Sequence, residues 1–483
     1  MASFPSSSDG TYPSSDSDTE SSTTNYGHID DEPVHLSYRG GALAWGSSEL
    51  RDEEVIVVAK VEGSIGHTIF SLASEAGDSP FELRTTRATL LPQAFLDRYL
   101  FKALPAYLLT DHFHVLISTL SGTGLAPEFF DAVLHPLLRA IGLVDSRYTV
   151  TRTNSAESVK EFARSTLLAT ANRGQKQTVL MLSGDGGMVD TINGLMESRE
   201  RSRCVSNTRC RSKLIYFSSY TKPILSQLPL GTGNALFHSL HKPSSIPSIY
   251  IQSLRTLLYG TPKPLPIFYA KFSPKSRLVT NEGQTATPLA NGTLYGAVVA
   301  SYGLHATLVA DSDTTDYRKH GDKRFGLVAK DLLFPEDGSN PHAYKAELLL
   351  DGKVIERKEH GYILASLVSN LEKTFTISPA SKPMDGKLRV VHFGALDGEG
   401  TMEVMKAAYA SGKHVEMSNV EYENVDALRI EFKEEGEGWK WRRCCVDGLI
   451  VGVEEGGWME VGLVGRGNEA VDVVSDVLTG VRS

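Results

Sequence analysis

Residues Thr178 to Leu195, TVLMLSGDGGMVDTINGL, constrain the fold more than any other stretch of the chain. Thr178 to Leu182 is a short apolar run of the kind a buried parallel strand shows. It breaks at Ser183-Gly184-Asp185-Gly186-Gly187. Apolar residues then resume at Met188, Ile192, Leu195 and Met196, which is helical spacing. A strand, a glycine turn and a helix together aim backbone N–H groups and a helix N-terminus at an anion. Asp185 sits inside that turn, at odds with a phosphate unless it binds a metal ion or takes a proton.

The neighbouring sequence repeats the rhythm. His114–Ile117 reads as a strand, followed by the loop Ser118–Gly124 and a helix from about Pro127, apt at a first turn, to Ile141. Tyr148–Thr151 reads as a strand and Glu157–Ala171 as a helix. After the Asp185 turn and its helix, Ile224–Leu228 runs into Pro229-Leu-Gly-Thr-Gly-Asn-Ala235 and another helix. Alternating strands and helices predict a parallel α/β sheet over 108–243, with ligands at the carboxyl ends of its strands. Beyond 244 the segments Phe268–Phe272, Thr293–Ser301, Ala346–Leu350, Gly361–Val368, Gly386–Val391, Ala427–Phe432 and Trp458–Val461 alternate or run apolar between Gly- and Asp-rich turns. That pattern predicts a mostly antiparallel β domain over 244–465, interrupted by one helix at about 319–333, with a cleft between the two domains. Residues 466–483 form a C-terminal segment.

The flanks are plainer. Residues 1–32 are dominated by Ser, Thr, Asp and Glu, with no Lys or Arg before Arg39, and predict a disordered acidic tail. Strand-like Val55–Ala59 and His67–Ser71, with helix-like Phe95–Phe101, predict an accessory β-rich module over 33–107 with no evident chemistry. The stretch Arg199–Lys213, within an insertion of 199–218, is strongly basic and has neither periodicity. Three readings of it are open: a basic membrane-docking loop, an inserted disordered loop, or a translated intron. The net charge of −9 argues against nucleic acid as a partner. Four cysteines, Cys204, Cys210, Cys444 and Cys445, are too few and too unevenly placed for a disulfide framework and carry no zinc-ligand spacing. No apolar stretch is long enough to span a bilayer. The expectation is a cytoplasmic protein whose contact with intracellular or plasma membranes is peripheral.

Two turns therefore carry the chemistry, Gly184-Asp-Gly-Gly187 and Gly231-Thr-Gly-Asn234, both at strand ends. Neither is a dinucleotide G-x-G-x-x-G nor a P-loop. Occurring twice in one domain, with Ser118–Gly124 as a third loop, they point to a phosphate site.

At these residues a resemblance enters. Ser183–Leu195 resembles the signature of the diacylglycerol kinase catalytic superfamily, closest to its sphingosine kinase and ceramide kinase branch. Leu228–Ala235 is similar to that family's second nucleotide loop. Ser301-Tyr-Gly303 with Asp316–Phe325 resembles its phosphate-contacting arginine segment. Met384–Leu388, Gly412–His414 and Cys445–Gly448 follow in the family's order, so the resemblance covers about residues 112 to 463.

The resemblance implies an α/β nucleotide-binding domain of the NAD kinase and diacylglycerol kinase type, followed by a mostly antiparallel β-sandwich. It implies transfer of the ATP γ-phosphoryl group, with Mg²⁺, to a hydroxyl of a sphingoid long-chain base or a related lipid such as ceramide or diacylglycerol. Asp185 would accept the hydroxyl proton or organise the metal, with Asp447 on the metal or nucleotide side. Ser183, Gly184, Gly186, Gly187, Gly231, Thr232, Gly233 and Asn234, with Ser121 and Gly122 of the first loop, would contact nucleotide. Arg318 and Arg324 would hold phosphate, since a guanidinium fork binds phosphate oxygens in pairs.

The chain departs from the family pattern at four places. Ser118-Thr119 stands for Asn-Pro, Asp190 for a Glu, Leu449 for the Glu of Asp-Gly-Glu, and Thr307 for an acid, with Asp311 further on. These departures motivate a second reading, a catalytically weakened nucleotide- or lipid-binding member of the same fold. A third is a soluble NAD kinase-type enzyme.

Overall fold

The computed structural model describes residues 24–60, 66–73, 80–119, 122, 124–155, 157–209, 220–242 and 244–475, with backbone alone over 198–209 and at 290 and 322. The chain divides into two compact units, one of residues up to 73 with 84–102, the other of 74–83 with 103–483.

The first unit is a seven-stranded sheet with the helix Gln93–Tyr99 against it. Leu36, Leu43, Val55, Val58, Ile69 and Phe95 fill its core. Its first strand, Thr24–Ile29, corrects the expected extent of the acidic tail. Asp30 and Asp31 have φ of 47° and 72° and turn that strand into an antiparallel pair with Glu32–Arg39. Paired positive φ is the geometry of a tight hairpin turn, which Asp tolerates. Acidic residues read as solvated tail are thus the turn of a hairpin, and the expected tail over 1–23 lies outside the described residues.

The second unit opens with a six-stranded, mainly parallel sheet. Its strands are β1 (His112–Ile117), β2 (Thr149–Arg152), β3 (Gln177–Ser183), β4 (Ile224–Pro229), β5 (Thr261–Pro264) and β12 (Asp472–Ser475), in the spatial order β5-β12-β4-β3-β1-β2. The sheet thus takes strands from beyond the expected boundary at 243 and from the C-terminal segment. β12 pairs parallel with β4 and antiparallel with β5, inserting Val473 and Val474 into the core. β3 is buried at every position, as a central strand covered on both faces must be. Helical turns over 126–140 and 158–172 cover the sheet.

The helix after β3, α1 (Asp185–Arg209), buries Met188, Ile192, Leu195 and Met196. Its backbone stays helical through 199–209, where an irregular insertion was expected. Arg, Glu and Ser there permit propagation of a helix already nucleated upstream. The rest of that basic segment, 210–218, lies outside the described residues. Two further helices follow β4, α2 (Ala235–Leu240) and α3 (Ile249–Tyr259).

The remaining residues build a 14-stranded antiparallel sheet that folds back on itself, its two halves packed across Phe268, Tyr302, Ile363, Val390, Ile430 and Met459. This is the expected β-sandwich. Thr293–Ser301, expected as one strand, is two: β6 (Thr293–Gly296) and β7 (Val299–Gly303), interrupted at Ala297-Val298. β7 leads into α4 (Leu304–Ser312), a helix the apolar pattern hid, and α5 (Arg324–Leu333) carries the later part of the expected 319–333 helix. Strands β8 (Tyr344–Leu350), β9 (Glu359–Ser366) and β10 (Leu388–Gly394), helix α6 (Gly398–Tyr409) and strand β11 (Arg443–Val446) complete the elements that matter below.

Candidate functional site

Parallel pairing sets the carboxyl ends of three strands side by side, with Leu182 of β3 opposite Ile117 of β1 and Ser183 opposite Pro229 of β4. The three loops leaving those ends touch through glycine. A Cβ on Gly231 would lie 2.4 Å from the Gly184 Cα, and one on Gly184 would lie 2.7 Å from the Gly231 Cα. A Cβ on Gly122 would lie 2.6 Å from the Leu230 carbonyl oxygen and 2.8 Å from the Gly231 Cα. Three backbones therefore meet with no room for any side chain. Ser121, expected beside Gly122, lies outside the described residues.

Other expected contacts turn out to hold the loops together. The Ser183 hydroxyl is buried, donates to the Gly184 carbonyl at 3.1 Å, and fills the space beside Gly187. Asn234 has φ 51° and closes its own loop: Oδ1 accepts from the Gly231 N–H at 3.1 Å and Nδ2 donates to the Gly231 carbonyl at 2.9 Å. Thr119, in the place of the family's proline, donates its hydroxyl to the Thr153 carbonyl at 2.6 Å and its backbone N–H to the Thr153 hydroxyl oxygen at 3.1 Å, tying the first loop to the exit of β2. Gly186 and Thr232 face outward, and a Cβ at Gly186 would meet nothing within 4 Å.

Asp185 is the first residue of α1, and its carboxylate reaches across to the second glycine loop. Oδ2 accepts from the Ala235 N–H at 2.6 Å and Oδ1 from the Leu236 N–H at 3.0 Å. The acid in the anion turn thus satisfies the free N–H groups opening α2. Burial pushes its acid above the usual carboxylate range, while those two N–H groups and the Gln227 side chain pull it back.

Asp447, at φ 47°, performs the same function on the sandwich. Its carboxylate accepts from the N–H groups of Ala297 (2.6 Å), Val298 (3.1 Å) and Val299 (2.6 Å), which is why the strand breaks at Ala297-Val298. Its acid is pushed up to about 7 by burial, with those three N–H groups opposing and the charge of Asp185 adding to the rise. The two carboxylates therefore feel each other across the junction of sheet and sandwich. The junction is fixed by Asn193 of α1, whose amide donates to the Tyr295 carbonyl at 2.8 Å and accepts the Tyr295 N–H at 2.9 Å.

A divalent cation suits this pair chemically. Two carboxylates that repel are the donor set Mg²⁺ uses when phosphates and water complete its shell. Among the described residues no cluster of three or more His, Cys, Asp or Glu side chains is placed to hold a metal unaided.

The arginines are built differently. Arg318 ends the short helix Thr315–Arg318 and forks onto Asp313, Nε at 3.0 Å and Nη2 at 2.6 Å. Arg324 opens α5, its Nη1 3.9 Å from the same carboxylate. Burial and the charge of Arg318 lower the Arg324 pKa against the pull of Asp313, and its buried Nε has no hydrogen-bond partner among the described residues. The two expected phosphate ligands thus converge on a resident carboxylate, itself unforeseen.

The acid expected for a lipid amine is likewise engaged. Thr307 is buried and accepts the Tyr344 hydroxyl at 2.8 Å. Asp311 binds Arg443 at 2.8 Å and Lys440 at 3.5 Å. Asp190 lies toward the 158–172 helical turns, its acid pushed up to about 7 by burial, with Lys160 opposing and Glu157 adding.

Sequence reasoning assigned no role to Gln227 or Asn193. Both are polar interruptions in apolar runs, and that irregularity is the signal that finds them. Nothing marked the small void between α4, α5 and α6, of about 30 Å³, since its walls come from six separate segments. Among the described residues no helix is long and apolar enough to cross a membrane.

Residues 112–268 match the family model of the diacylglycerol kinase catalytic domain. Human sphingosine kinase 1 is 27% identical over 213 residues, 44% of this chain and 46% of that protein, so the chain spans under half the length of this relative. A solved diacylglycerol kinase from Bacillus anthracis str. Sterne superposes at a TM-score of 0.43, with 13% identity, covering 76% of this chain and 98% of that one. A further chain from that bacterium gives a TM-score of 0.48 at 14% identity, covering 76% and 99%.

Proposed function

We propose, because residues 112–268 match the family model of the diacylglycerol kinase catalytic domain, that the protein is an ATP- and Mg²⁺-dependent lipid kinase transferring the γ-phosphoryl group to a lipid hydroxyl. One observation carries the reading: three loops in backbone contact through Gly122, Gly184 and Gly231, with Asp185 bridging two of them and in electrostatic reach of Asp447. Outward-facing Gly186 and Thr232, with half-buried Gly233, offer the nucleotide phosphates close approach. Asp185, its basicity raised by burial, takes the proton of the attacking hydroxyl or orients it. Arg318 and Arg324 exchange Asp313 for phosphate oxygens, which offer the same paired acceptors with more charge. Asp185 and Asp447 would hold Mg²⁺, which would supply neutralising charge on the transferring group.

The Arg318–Arg324 segment and the Gly231-Thr-Gly-Asn234 loop fit a lipid kinase better than a soluble NAD kinase. Within the lipids, Thr307 and Asp311 are both engaged inside the protein, so neutral heads such as ceramide or diacylglycerol fit better than a free sphingoid amine. The lipid need meet the protein only peripherally.

Labelled ATP with a panel of sphingoid bases, ceramides and diacylglycerols tests this. Turnover should appear on a neutral-headed lipid and fall roughly 10²–10⁴-fold in Asp185→Asn, the range of a lost general base. Undiminished turnover in that variant would sink the chemistry. Mg·ATP binding without product on any lipid would favour the weakened binding member instead.

A further inference from the structure

The hairpin of Arg277–Thr280 and Thr285–Pro288 turns through Asn281-Glu282-Gly283-Gln284. Its first strand is fixed to the sandwich, Val279 opposite Ile450 and Leu278 opposite Val451, on the strand that follows Asp447. Three successive turn residues lie in the left-handed region: Asn281 at φ 50°, Glu282 at 57° and Gly283 at 87°. Glycine adopts that backbone freely and asparagine tolerates it, but a glutamate there is strained. Strain of this kind persists only where the surroundings over-determine it. Gly283 is set against the Trp439 ring, 3.2 Å from where its Cβ would stand. Glu282 is set by its own side chain, which reaches Thr315.

Oε1 of Glu282 accepts the Thr315 N–H at 2.7 Å and the Thr315 hydroxyl as well. The hydroxyl and the N–H hold the Glu282 acid below the usual carboxylate range, with burial opposing and the charge of Arg318 adding. Thr315 opens the short helix that ends at Arg318. Among the described residues, every other hydrogen bond and ion pair of 313–320 stays within 311–331. Thr314 bonds the Asp311 carbonyl, Tyr317 bonds Asp331, Lys319 pairs with Asp316, and Arg318 and Arg324 share Asp313. Glu282 is therefore the one polar tether, among the described residues, between the arginine segment and the rest of the sandwich.

An exposed contact adds little to folding stability, and a left-handed glutamate subtracts from it. What the contact does fix is where the Thr315–Arg318 turn stands. A guanidinium fork meets paired phosphate oxygens only from a set direction, so the turn beneath it has to be held. We propose that Glu282 is a positioning residue for phosphate binding: from the hairpin tip it holds Thr315, and through that turn it aims Arg318 at the nucleotide. The inference rests on the reading above in which Arg318 binds a phosphate of ATP. It goes further by giving the hairpin a part in that binding.

The test is calorimetry of Mg·ATP binding by the full chain, which needs no turnover. Glu282→Gly keeps the turn and removes the carboxylate. It should resist urea as well as the wild type or better, because glycine relieves the backbone strain. It should nevertheless bind Mg·ATP roughly 3- to 10-fold more weakly, the worth of one net hydrogen bond. Glu282→Gln keeps an acceptor at Oε1 and should recover most of that loss. In an Arg318→Ala background Glu282→Gly should make no further difference, since it acts through that arginine. Undiminished affinity in Glu282→Gly, or a loss of the same size with and without Arg318, overturns the proposal. If Arg318→Ala alone still weakens binding in that case, the phosphate role of Arg318 stands without the hairpin. Mg·ATP binding that follows the expected pattern, with no product on any lipid, upholds the proposal and overturns the kinase reading instead.

Discussion

The glycine loops and the arginine pair are both assigned to phosphate, yet they are built in opposite ways. The loops are a contact of three backbones, locked by Asn234 and by the Asp185 carboxylate on the first turn of α2. The arginines are long side chains sharing one carboxylate, with the Arg318 side chain 59% exposed and that of Asp313 56%. Geometry in the first region is a property of the fold. In the second it is a property of an ion pair that water and salt can loosen. A ligand therefore finds the loops preorganised and must compete for the arginines.

The comparison breaks most readily at Gly231. An Ala there puts a Cβ 2.4 Å from a backbone atom that cannot move without shifting β3. Gly231→Ala should cost about 1–3 kcal/mol or more in thermal or urea unfolding and abolish nucleotide binding, because overpacking against backbone has no rotamer to relax into. Wild-type stability in that variant would mean the loops are not the rigid half.

The support of the loops is acid-labile in a way the arginines are not. His241, just past α2, is buried and lies tilted against Phe237 with ring centroids 4.1 Å apart. The Phe237 carbonyl can only accept, so Nδ1 carries the proton, and Nε2 accepts from the Thr256 hydroxyl at 3.0 Å. Burial pushes this histidine from 6.5 down to about 4, against the bond to Phe237. A histidine depressed in the folded state favours folding above its unfolded value, and that contribution is lost as pH falls from about 6.5 to 4. The full swing is about 3 kcal/mol. Unfolding free energy measured across that window should fall with acid in the wild type and fall less steeply in His241→Gln. Identical slopes would remove His241 from the support of α2.

How much of this was readable follows the same division. Gly184 and Gly231 stand out in a sequence because a backbone contact admits one residue type, and the strand–turn–helix rhythm locates both at the sheet edge. Asp313 carries no such mark. Its importance arises from two arginines brought beside it by α4, α5 and the turn between them, and many acids near arginines meet nothing. The strand β12 was invisible for a related reason: Asp472–Ser475 is four residues long, and its place in the sheet is fixed by pairing with β4 and β5, more than 200 positions upstream. Glu282 and Thr315 are likewise joined by the reach of a hairpin rather than by any local pattern.

Arg318→Ala sharpens the contrast from the other side. An exposed ion pair contributes about 0–1 kcal/mol, so unfolding should barely change. The KM for ATP should rise roughly 10-fold and the rise should shrink in high salt, which screens the remaining charges. Asp313→Asn frees both guanidinium groups and should lower that KM. An unchanged KM in both variants would detach the pair from the nucleotide.

Gly186→Ala is the smallest change and the most pointed. Gly186 lies in the same motif as Gly184, one residue into α1, yet a Cβ there meets nothing within 4 Å and its φ is not in the left-handed region. No internal contact requires glycine. Alanine in a helix is favoured over glycine by about 0.5–1 kcal/mol, so the variant should be as stable as the wild type or slightly more so. If the open space beside Gly186 is where the nucleotide's phosphates approach the backbone, the same variant should bind ATP several-fold more weakly. Stability and affinity would then move in opposite directions, which no purely structural role for Gly186 can produce. Should both stay unchanged, the ligand lies elsewhere along the loop, and Thr232 and Gly233 become the side on which it is held.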